Sequence, residues 1–493
     1  MPQHDFTKAS HTIVVSDIHL ADAEKPHPGN PLWKRFKRPK HFIDKEFKAL
    51  LEYLQGQVKT PIELVLNGDI FDFDSVMTIP EDRGFRISWI ERMRGLASEE
   101  EKSVFKIGII LDTHPLWLDA IRDFLIAGNS VIFVIGNHDM ELHWPAVRAE
   151  ILARLSAGAP NYPDLKDQVR FCEWFYLSNK DTLIEHGNQY DAYCLCSNPV
   201  HPLIRKGSRV LVRLPFGNLA GKYMINGMGL MNPHNTSSFI KATFAEYIVF
   251  FYKNVMRTQP FLLWTWFWSA MVTMYYSLTE GFLPAMRDPL TVDARIEDIA
   301  LRANTTVSAV LALKEVHVHP AIFDPIKILR ELWLDRAILL VLIIFGSFQF
   351  FGFLNVFATV SVWWFFVPTV IFLPLFIFYA RSVQSEVDTS QQAAFHLAPL
   401  SARITKVKRI VQGHTHLENH SAVEGVEVLN TGTWSPAYHD VECTQPYGRK
   451  CFAWILPETQ SGSSASQGST SAEQRIARLF EWKENSAILI PGP

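Results

Sequence analysis

The run Val131-Ile132-Phe133-Val134-Ile135-Gly136-Asn137-His138-Asp139 decides how the rest of the chain is organised. Its first five residues are β-branched or aromatic, which is typical of a buried strand. The next four therefore stand where a strand ends in a loop, a rigid place from which side chains converge on a ligand. Asn137 offers a neutral oxygen, His138 a titratable imidazole, and Asp139 a carboxylate that would orient the imidazole. The run predicts a functional loop at the end of a core strand.

Four other hydrophobic runs end in motifs of the same kind. These motifs are Asp17-Ile18-His19, Gly68-Asp69, His186-Gly187 and Gly413-His414-Thr415-His416. Carboxylates, amide oxygens and imidazoles are the ligands of hard and borderline divalent metals, and the motifs offer no thiolate. Each motif carries little weight by itself. Their occurrence after five strand-like runs predicts that they converge on one metal centre.

The number of ligands is enough for two metal ions. Two ions about 3.5–4 Å apart need a bridging carboxylate and several further ligands each. Asp69 is the expected bridge, because Gly68 permits close approach of the backbone. The remaining ligands divide into Asp17, His19 and His416 for one ion and Asn137, His186 and His414 for the other. Mn²⁺ is the expected ion, with Fe, Zn and Mg as alternatives that ligand types do not separate.

The five motifs, in this order, resemble those of the calcineurin-like metallophosphoesterase superfamily, over roughly residues 11–190 and 407–456. The resemblance implies an α/β fold with a layered β-sandwich and flanking helices. It also implies hydrolysis of phosphate esters at a binuclear centre built from the ligands named above. The same resemblance implies that His138 protonates the leaving group or stabilises the transition state, with Asp139 as its partner. It also implies that Asp72 contacts the metal-binding residues without binding a metal ion itself.

A looser resemblance connects the chain to the bacterial UDP-2,3-diacylglucosamine hydrolases. The Asp17-x-His19 opening and a long insertion are similar to theirs. The chain has His138 and Asn188 where that family typically has Arg and Asp, and its insertion is much larger. The lipid substrate of that family is therefore not carried over.

Residues 191–406 separate the fourth motif from the fifth and hold the most apolar segments. Residues 337–380 contain no Asp, Glu, Lys, Arg or His, over twice the length of about 20 residues that one membrane crossing takes. We expect a helical membrane hairpin with its turn near Gly352 and Asn355. Residues 261–279 are uncharged and rich in Trp. Because the motifs on both sides of the insertion must share one side of the membrane, this segment is expected to lie in the interface.

The predicted organisation is a metallophosphoesterase domain in two parts, residues 1–190 and 407–458, around the insertion 191–406. Residues 459–493 are expected to be a flexible linker and tail, because residues 460–471 are rich in Ser, Gly and Gln, although residues 473–482 suggest a terminal helix. The Lys and Arg residues that flank the apolar segments favour a cytoplasmic catalytic domain. The cysteine usage and the lack of an apolar stretch before the first strand fit the same compartment.

The expected function is hydrolysis of a phosphomonoester or phosphodiester by a membrane-anchored enzyme. The net charge of −3 gives no reason to expect a nucleic-acid partner. A narrower alternative is a hydrolase of lipid headgroups or lipid pyrophosphates. An alternative of another class is a membrane scaffold with a regulatory or vestigial metal site. The basic loop 22–40 is either a surface loop or a contact for phosphate or anionic lipid headgroups.

Overall fold

The computed structural model describes residues 5–27, 32–81, 84–229, 262–382, 387–438, 442–458 and 474–492, with the single residues Tyr252 and Asp440. Two sheets organise this part of the chain. The larger sheet contains β1 (His11–Val15), β2 (Ile62–Asn67), β3 (Ser130–Val134), β4 (Val169–Cys172), β14 (Cys451–Pro457), β15 (Arg475–Lys483) and β16 (Ser486–Ile490). Their order is β16-β15-β14-β1-β2-β3-β4. β1 to β4 are parallel, and β14 joins β1 in antiparallel register with Thr12 opposite Ile455.

The smaller sheet faces the larger one and has five strands. It contains β5 (Phe175–Ser178), β6 (Thr182–Glu185), β9 (Arg409–Gln412), β10 (Glu418–Val423) and β11 (Val426–Thr431), in the order β10-β11-β9-β6-β5. The short pairs β7 (Leu203–Lys206) with β8 (Arg209–Val212) and β12 (Ala437–Tyr438) with β13 (Pro446–Tyr447) lie outside both sheets. β6 and β9 are parallel neighbours, so His186 and the Gly413 motif follow adjacent strand ends.

Helices pack against both sheets in the described part of the chain. In chain order, the helices of that part are α1 (Asp44–Gln57), α2 (Trp89–Arg94), α3 (Glu100–Thr113), α4 (Pro115–Ile126), α5 (Pro145–Ala157), α6 (Phe216–Ala220), α7 (Asn226–Met228), α8 (Leu262–Gly281), α9 (Val292–Arg302), α10 (Val307–Lys314), α11 (Pro325–Glu331), α12 (Leu334–Phe357), α13 (Phe366–Ser382) and α14 (Val387–Thr405). A π-helical turn, Gly221–Ile225, joins α6 to α7.

The core has three apolar layers, because the central strands are buried on both faces. One layer lies between the sheets and includes Val14, Val65, Ile184 and Val411. A second layer packs the other face of the larger sheet against α1, α3, α4 and α5. A third packs the smaller sheet against α9, α10 and α14. The predicted layered α/β fold with flanking helices is therefore confirmed.

The helices of the third layer belong to the insertion. α9, α10 and α14 all fall within residues 191–406, and their apolar side chains, such as Ile299, Val310 and Ala402, are buried against the smaller sheet. The insertion thus supplies one helical layer of the domain in addition to its apolar segments.

The two apolar helices lie side by side as an antiparallel pair. Ser347 Oγ of α12 lies 2.9 Å from Thr369 Oγ1 of α13, and the Tyr379 hydroxyl donates to Asp335 Oδ2 at 2.7 Å. The turn predicted at Gly352 and Asn355 is wrong, because both residues lie inside α12. Asn355 Oδ1 instead accepts a hydrogen bond from Val360 N beyond the end of the helix, at 3.3 Å.

The end of the chain also differs from the prediction. Residues 473–482 were expected to be helical, and the structure places Arg475–Lys483 in β15, paired along its length with β14. Alternate residues Ala477 and Leu479 are buried in the layer between the sheets. Residues 475–490 are therefore part of the larger sheet, not a flexible tail. The predicted linker 460–471 lies outside the described residues.

Candidate metal centre

The five motifs meet at one edge of the two sheets. Asp17 and His19 follow β1, Asp69 follows β2, Asn137 follows β3, His186 follows β6, and His414 and His416 follow β9. All except His414 are buried. Parallel strands deliver their carboxyl ends to the same edge of a sheet, and facing sheets bring the two edges together. The geometry therefore gathers six of the seven sequence-predicted ligands into one cluster. The seventh, Asn137, precedes His138, whose backbone N–H donates to Asp69 Oδ1 at 2.8 Å.

The ligand atoms fall into overlapping groups. In each of three groups the atoms that would bind an ion lie within 4.8 Å of one another: Asp17 with His19 and His416, His19 with Asp69 and His138, and Asp69 with His186 and His414. Asp69 Oδ2 lies 3.9 Å from His19 Nε2 and 3.2 Å from His186 Nε2. Asp69 thus stands between the two halves of the cluster, where a bridging carboxylate is needed.

The backbone at these residues is unusual. Five of them adopt left-handed conformations, with φ of 55° at Asp17, 54° at His19, 54° at Asp69, 68° at His414 and 59° at His416. Residues with a side chain seldom adopt such angles, and those that do are concentrated at functional sites. The strain turns the side chains inward immediately after the strands end.

Two glycines permit the close approach. A Cβ at Gly68 would collide with the ring of His186, and a Cβ at Gly136 would collide with the carboxylate of Asp69. Neither position therefore accepts a side chain without displacing a candidate ligand.

The negative charge at Asp69 favours a bound cation. Burial alone would raise the pKa of Asp69, but His186 and His138 hold it well below its usual value. Burial lowers the pKa of His186, and Asp69 raises it again to about 9. The Asp69 carboxylate is thus ionised at neutral pH and carries the charge that attracts cations. Oδ1 of Asn137 is buried and finds no hydrogen-bond partner in the described part of the chain, as expected of a neutral oxygen ligand.

His138 sits beside the cluster and has a different partner from the one predicted. Its Nδ1 lies 3.3 Å from Asp72 Oδ1. Burial lowers the pKa of His138, whereas Asp72 and Asp69 raise it to about 10. Asp139 accepts hydrogen bonds at both carboxylate oxygens from backbone N–H groups, those of Gly136 and Ile70. The prediction that Asp139 orients His138 is therefore wrong. Asp139 holds the loop, and Asp72 contacts the imidazole.

Three residues beside the candidate ligands were missed by sequence reasoning: Asp191, Cys194 and Asn218. Asp191 and Cys194 form a further group of possible ligands with His414. Asp191 Oδ2 lies 3.0 Å from His414 Nε2. Asn218, in α6, accepts a hydrogen bond from Asn137 Nδ2 at 3.3 Å. Asp191 lies five residues after His186, so the strand-end rule offered a signal for it. Asn218 stands in the insertion, far from every motif, and the sequence pattern gives no sign of its contact.

The basic loop 22–40 is not simply a solvated surface. Lys34 and Lys37 are both buried. Lys37 Nζ pairs with Asp22 Oδ1 at 2.5 Å, and Lys34 Nζ donates to Asn226 Oδ1 at 3.2 Å. The loop therefore packs against the domain and against the insertion through its lysines.

Comparison with known proteins agrees with this geometry. No curated protein matches the chain. Residues 10–209, which are 200 of the 493 residues, match the family model for calcineurin-like phosphoesterases. Four of the five motifs lie within the matched residues, and proteins of this family are generally metal-dependent hydrolases of phosphate esters. The match and the layered sheets together identify a metallophosphoesterase domain and support its place in the calcineurin-like superfamily.

Proposed function

We propose that the protein is a membrane-anchored phosphoesterase that hydrolyses a phosphomonoester or phosphodiester with two divalent metal ions. The observation that carries this proposal is the position of Asp69. Its carboxylate belongs to two ligand groups at once, one with His19 and one with His186 and His414. A carboxylate shared in this way is what a pair of ions requires.

The ligand assignment follows the groups. Asp17, His19 and His416 would hold one ion, and Asn137, His186 and His414 the other, with Asp69 between them. A pair of ions held there would supply a nucleophilic water near neutral pH and positive charge for the phosphoryl oxygens. We propose Mn²⁺, since mixed carboxylate, amide and imidazole ligands suit it, with Fe, Zn or Mg as alternatives.

The chain's own proton donor is His138. Its side chain is 19 % exposed, against 2 % for Asp69, so it reaches the open side of the cluster where a substrate would enter. The Asp72 carboxyl group beside it raises the pKa of His138 and so favours the imidazolium. His138 would then donate a proton to the departing oxygen of the ester.

The proposal is tested by hydrolysis of p-nitrophenyl phosphate and bis-p-nitrophenyl phosphate by detergent-purified protein. Treatment with a chelator should abolish turnover, and Mn²⁺ should restore it, because the nucleophile depends on the ions. The preferred compound separates a monoesterase from a diesterase. His416→Ala should stay inactive, whereas His317→Ala, at a residue outside the cluster, should behave as the parent. If the parent binds Mn²⁺ and hydrolyses neither compound with any metal, the scaffold alternative becomes the better one.

The membrane part of the proposal rests on α12 and on the segment from Val362 to Ala380. Among the described residues these two helices are long and apolar enough to cross a membrane. Only 6 % and 0 % of the residues in their most apolar 18-residue stretches are buried inside the protein. Soluble helices of such composition bury most of their surface. We propose that the pair forms a hairpin that enters and leaves the bilayer from one side, with the catalytic domain in the cytoplasm.

α8 presents a second apolar surface, which we define as the aromatic face. Its exposed side chains recur at helical spacing: Trp264, Phe267, Trp268, Met271 and Tyr275. The opposite side of the same helix buries small and polar residues, among them Ser269 and Thr273. An aromatic helix that turns its large side chains outward suits the membrane interface. We therefore propose that α8 lies along the membrane surface.

Membrane insertion is tested by alkaline carbonate extraction. The parent should remain in the membrane pellet. The double variant Val341→Lys and Val370→Lys, at positions that are 63 % and 65 % exposed on the two helices, should move to the supernatant, since each Lys costs about 2.5–3.5 kcal/mol at the centre of a spanning helix. Leu489→Lys, at an exposed position on β16, is the matched control and should stay in the pellet. A parent found in the supernatant would contradict the hairpin.

A lipid headgroup or lipid pyrophosphate is the second candidate substrate. It is favoured by a continuous series of contacts between the apolar surfaces and the cluster. α12 packs on α11, α11 on α8, and α8 on α6 and α7, while Asn218 of α6 contacts Asn137. The cluster therefore lies one layer of helices away from the proposed membrane surface. Faster turnover of a phospholipid in mixed micelles than of p-nitrophenyl phosphate would favour this candidate.

A further inference from the structure

One contact between the insertion and the metal cluster is made by a buried side chain, that of Asn218. Asn218 is fully buried, and its Oδ1 accepts from Asn137 Nδ2 at 3.3 Å. Its Nδ2 donates to the backbone oxygen of Asn137 at 2.9 Å and to Asp74 Oδ2 at 2.7 Å. Asn218 therefore connects one candidate ligand to one carboxylate outside the ligand set.

These hydrogen bonds have a defined direction. A backbone carbonyl and an ionised carboxylate only accept, so the amide nitrogen of Asn218 must face them. Its oxygen then faces Asn137 and selects the NH₂ end of that side chain. Burial and the nearby Glu141 raise the pKa of Asp74 to about 6, so the carboxylate is still mostly ionised at neutral pH. Asp74 thus sets the orientation of both amides in turn.

The far end of this series is the oxygen of Asn137. With its nitrogen held by Asn218, the Oδ1 of Asn137 points away from Asn218 and is buried, with no hydrogen-bond partner among the described residues. An amide oxygen left in this state lowers stability unless something else binds it. A cation is the partner that would satisfy it, because the next residue, His138, donates its backbone N–H to Asp69 Oδ1 at 2.8 Å and so places Asn137 beside the cluster.

We propose that Asn218 is a positioning residue that, with Asp74, holds the oxygen of Asn137 toward the second metal ion. This inference rests on the proposed function, because it assumes that Asn137 is a ligand. It assigns to the insertion a part in metal binding, beyond its proposed part at the membrane. Tyr223, in the π-helical turn that follows α6, stacks on Tyr276 of α8 with ring centroids 4.4 Å apart. The segment that carries Asn218 and Tyr223 therefore also contacts the helix that carries the aromatic face.

The test is direct binding of Mn²⁺ to chelator-treated full-length protein, measured by titration calorimetry. The parent should bind two ions per chain. Asn218→Ala should bind one ion as the parent does and the other about 10–100-fold more weakly, the usual effect of losing a residue that orients a ligand. Turnover should return when Mn²⁺ is in large excess, since Asn218 touches neither substrate nor the proposed proton donor.

A matched control separates positioning from stability. Asn129 is also buried, and it bonds Ile62 N at 2.8 Å and the Phe124 oxygen at 2.9 Å, outside the cluster. Asn129→Ala should lower the melting temperature at least as much as Asn218→Ala and leave both Mn²⁺ affinities unchanged.

A second pair of variants tests the direction of the hydrogen bonds. Asn218→Asp places a carboxylate against Asp74 and should weaken the second ion further. Adding Asp74→Asn restores a donor at that contact, and the double variant should bind this ion about tenfold more tightly than Asn218→Asp alone, the effect of one hydrogen bond to a charged group.

The outcomes distinguish this inference from the proposed function. If the parent binds two ions and a folded Asn218→Ala binds both with the parent's affinities, the positioning role is overturned and the proposed function stands. If the parent binds no Mn²⁺, Zn²⁺ or Mg²⁺, the proposed function and this inference both fail.

Discussion

Asp69→Asn is expected to lower turnover by at least about 10³-fold and to reduce the bound Mn²⁺ from two ions per chain to one or none. The reason is that Asp69 is the only carboxylate shared between the ligand groups in the described part of the chain. Stabilisation of the transition state by bound ions is worth several kcal/mol, and each 1.36 kcal/mol changes a rate tenfold. The measurements are metal content by mass spectrometry and turnover of the preferred nitrophenyl ester.

An Asp→Asn substitution far from the cluster is the matched control for Asp69→Asn. Asp181 accepts from Arg475 Nε at 2.8 Å in an ion pair remote from the cluster. Asp181→Asn should cost some stability and leave two ions and parental turnover. Two bound ions in Asp69→Asn would contradict the bridging role, whatever its activity.

His138→Ala is expected to lower turnover by about 10²–10⁴-fold, the usual contribution of a positioned proton donor, while both ions remain bound. The loss should be greatest for an ester with a poor leaving group, because that oxygen must be protonated as it departs. A p-nitrophenyl ester, whose leaving group needs little protonation, should show a smaller loss. The measurement compares turnover of alkyl and p-nitrophenyl phosphates at saturating Mn²⁺.

Asp72→Asn tests the partner found in the structure. It removes the charge 3.3 Å from His138 Nδ1 and should reproduce part of the His138→Ala loss with the same dependence on leaving group. His138→Ala combined with Asp72→Asn should be little worse than His138→Ala alone, since the two residues act as one unit. Equal losses for all leaving groups in His138→Ala would contradict a proton donor and indicate a role in binding.

The core of the site was predictable because its signals are local. A hydrophobic run such as residues 131–135 predicts a buried strand, and the residues that follow the run must lie at the edge of the sheet. Asp69, His186 and His414 each follow such a run, so their convergence could be inferred without knowing the register of any strand. The glycines beside them gave a further local signal, since close approach excludes a side chain there.

Contacts between loops were not predictable in the same way. Asp139 is adjacent to His138 in sequence, yet its carboxylate points to backbone N–H groups, and Asp72 occupies the expected place. Which of two nearby carboxylates faces an imidazole depends on loop dihedral angles that carry no periodic pattern. Asn218 shows the same limit at greater distance, because 81 residues separate it from Asn137.

The last strands show how tertiary pairing overrides local preference. Residues 473–482 contain Glu, Gln, Arg, Ala and Leu, which favour a helix in isolation. In the structure Ala477 and Leu479 are buried toward the smaller sheet, and the backbone pairs with β14 from Cys451↔Glu481 to Pro457↔Arg475. Buried residues alternate with more exposed ones from Arg475 to Leu479 in the strand, but the amino-acid composition of the segment favours a helix.

The pairing of β1 with β14 dictates an order of events during biosynthesis. Thr12 lies opposite Ile455, so the first strand leaves the ribosome some 440 residues before its antiparallel neighbour. At about 5–20 residues per second this delay is on the order of tens of seconds. Both apolar helices emerge within that interval, and so does every candidate ligand, with His414 and His416 last, after both helices. With the proposed hairpin in the bilayer, the nascent chain would meet the membrane before His414 and His416 are available, and the proposed metal centre would be completed only after membrane insertion has begun.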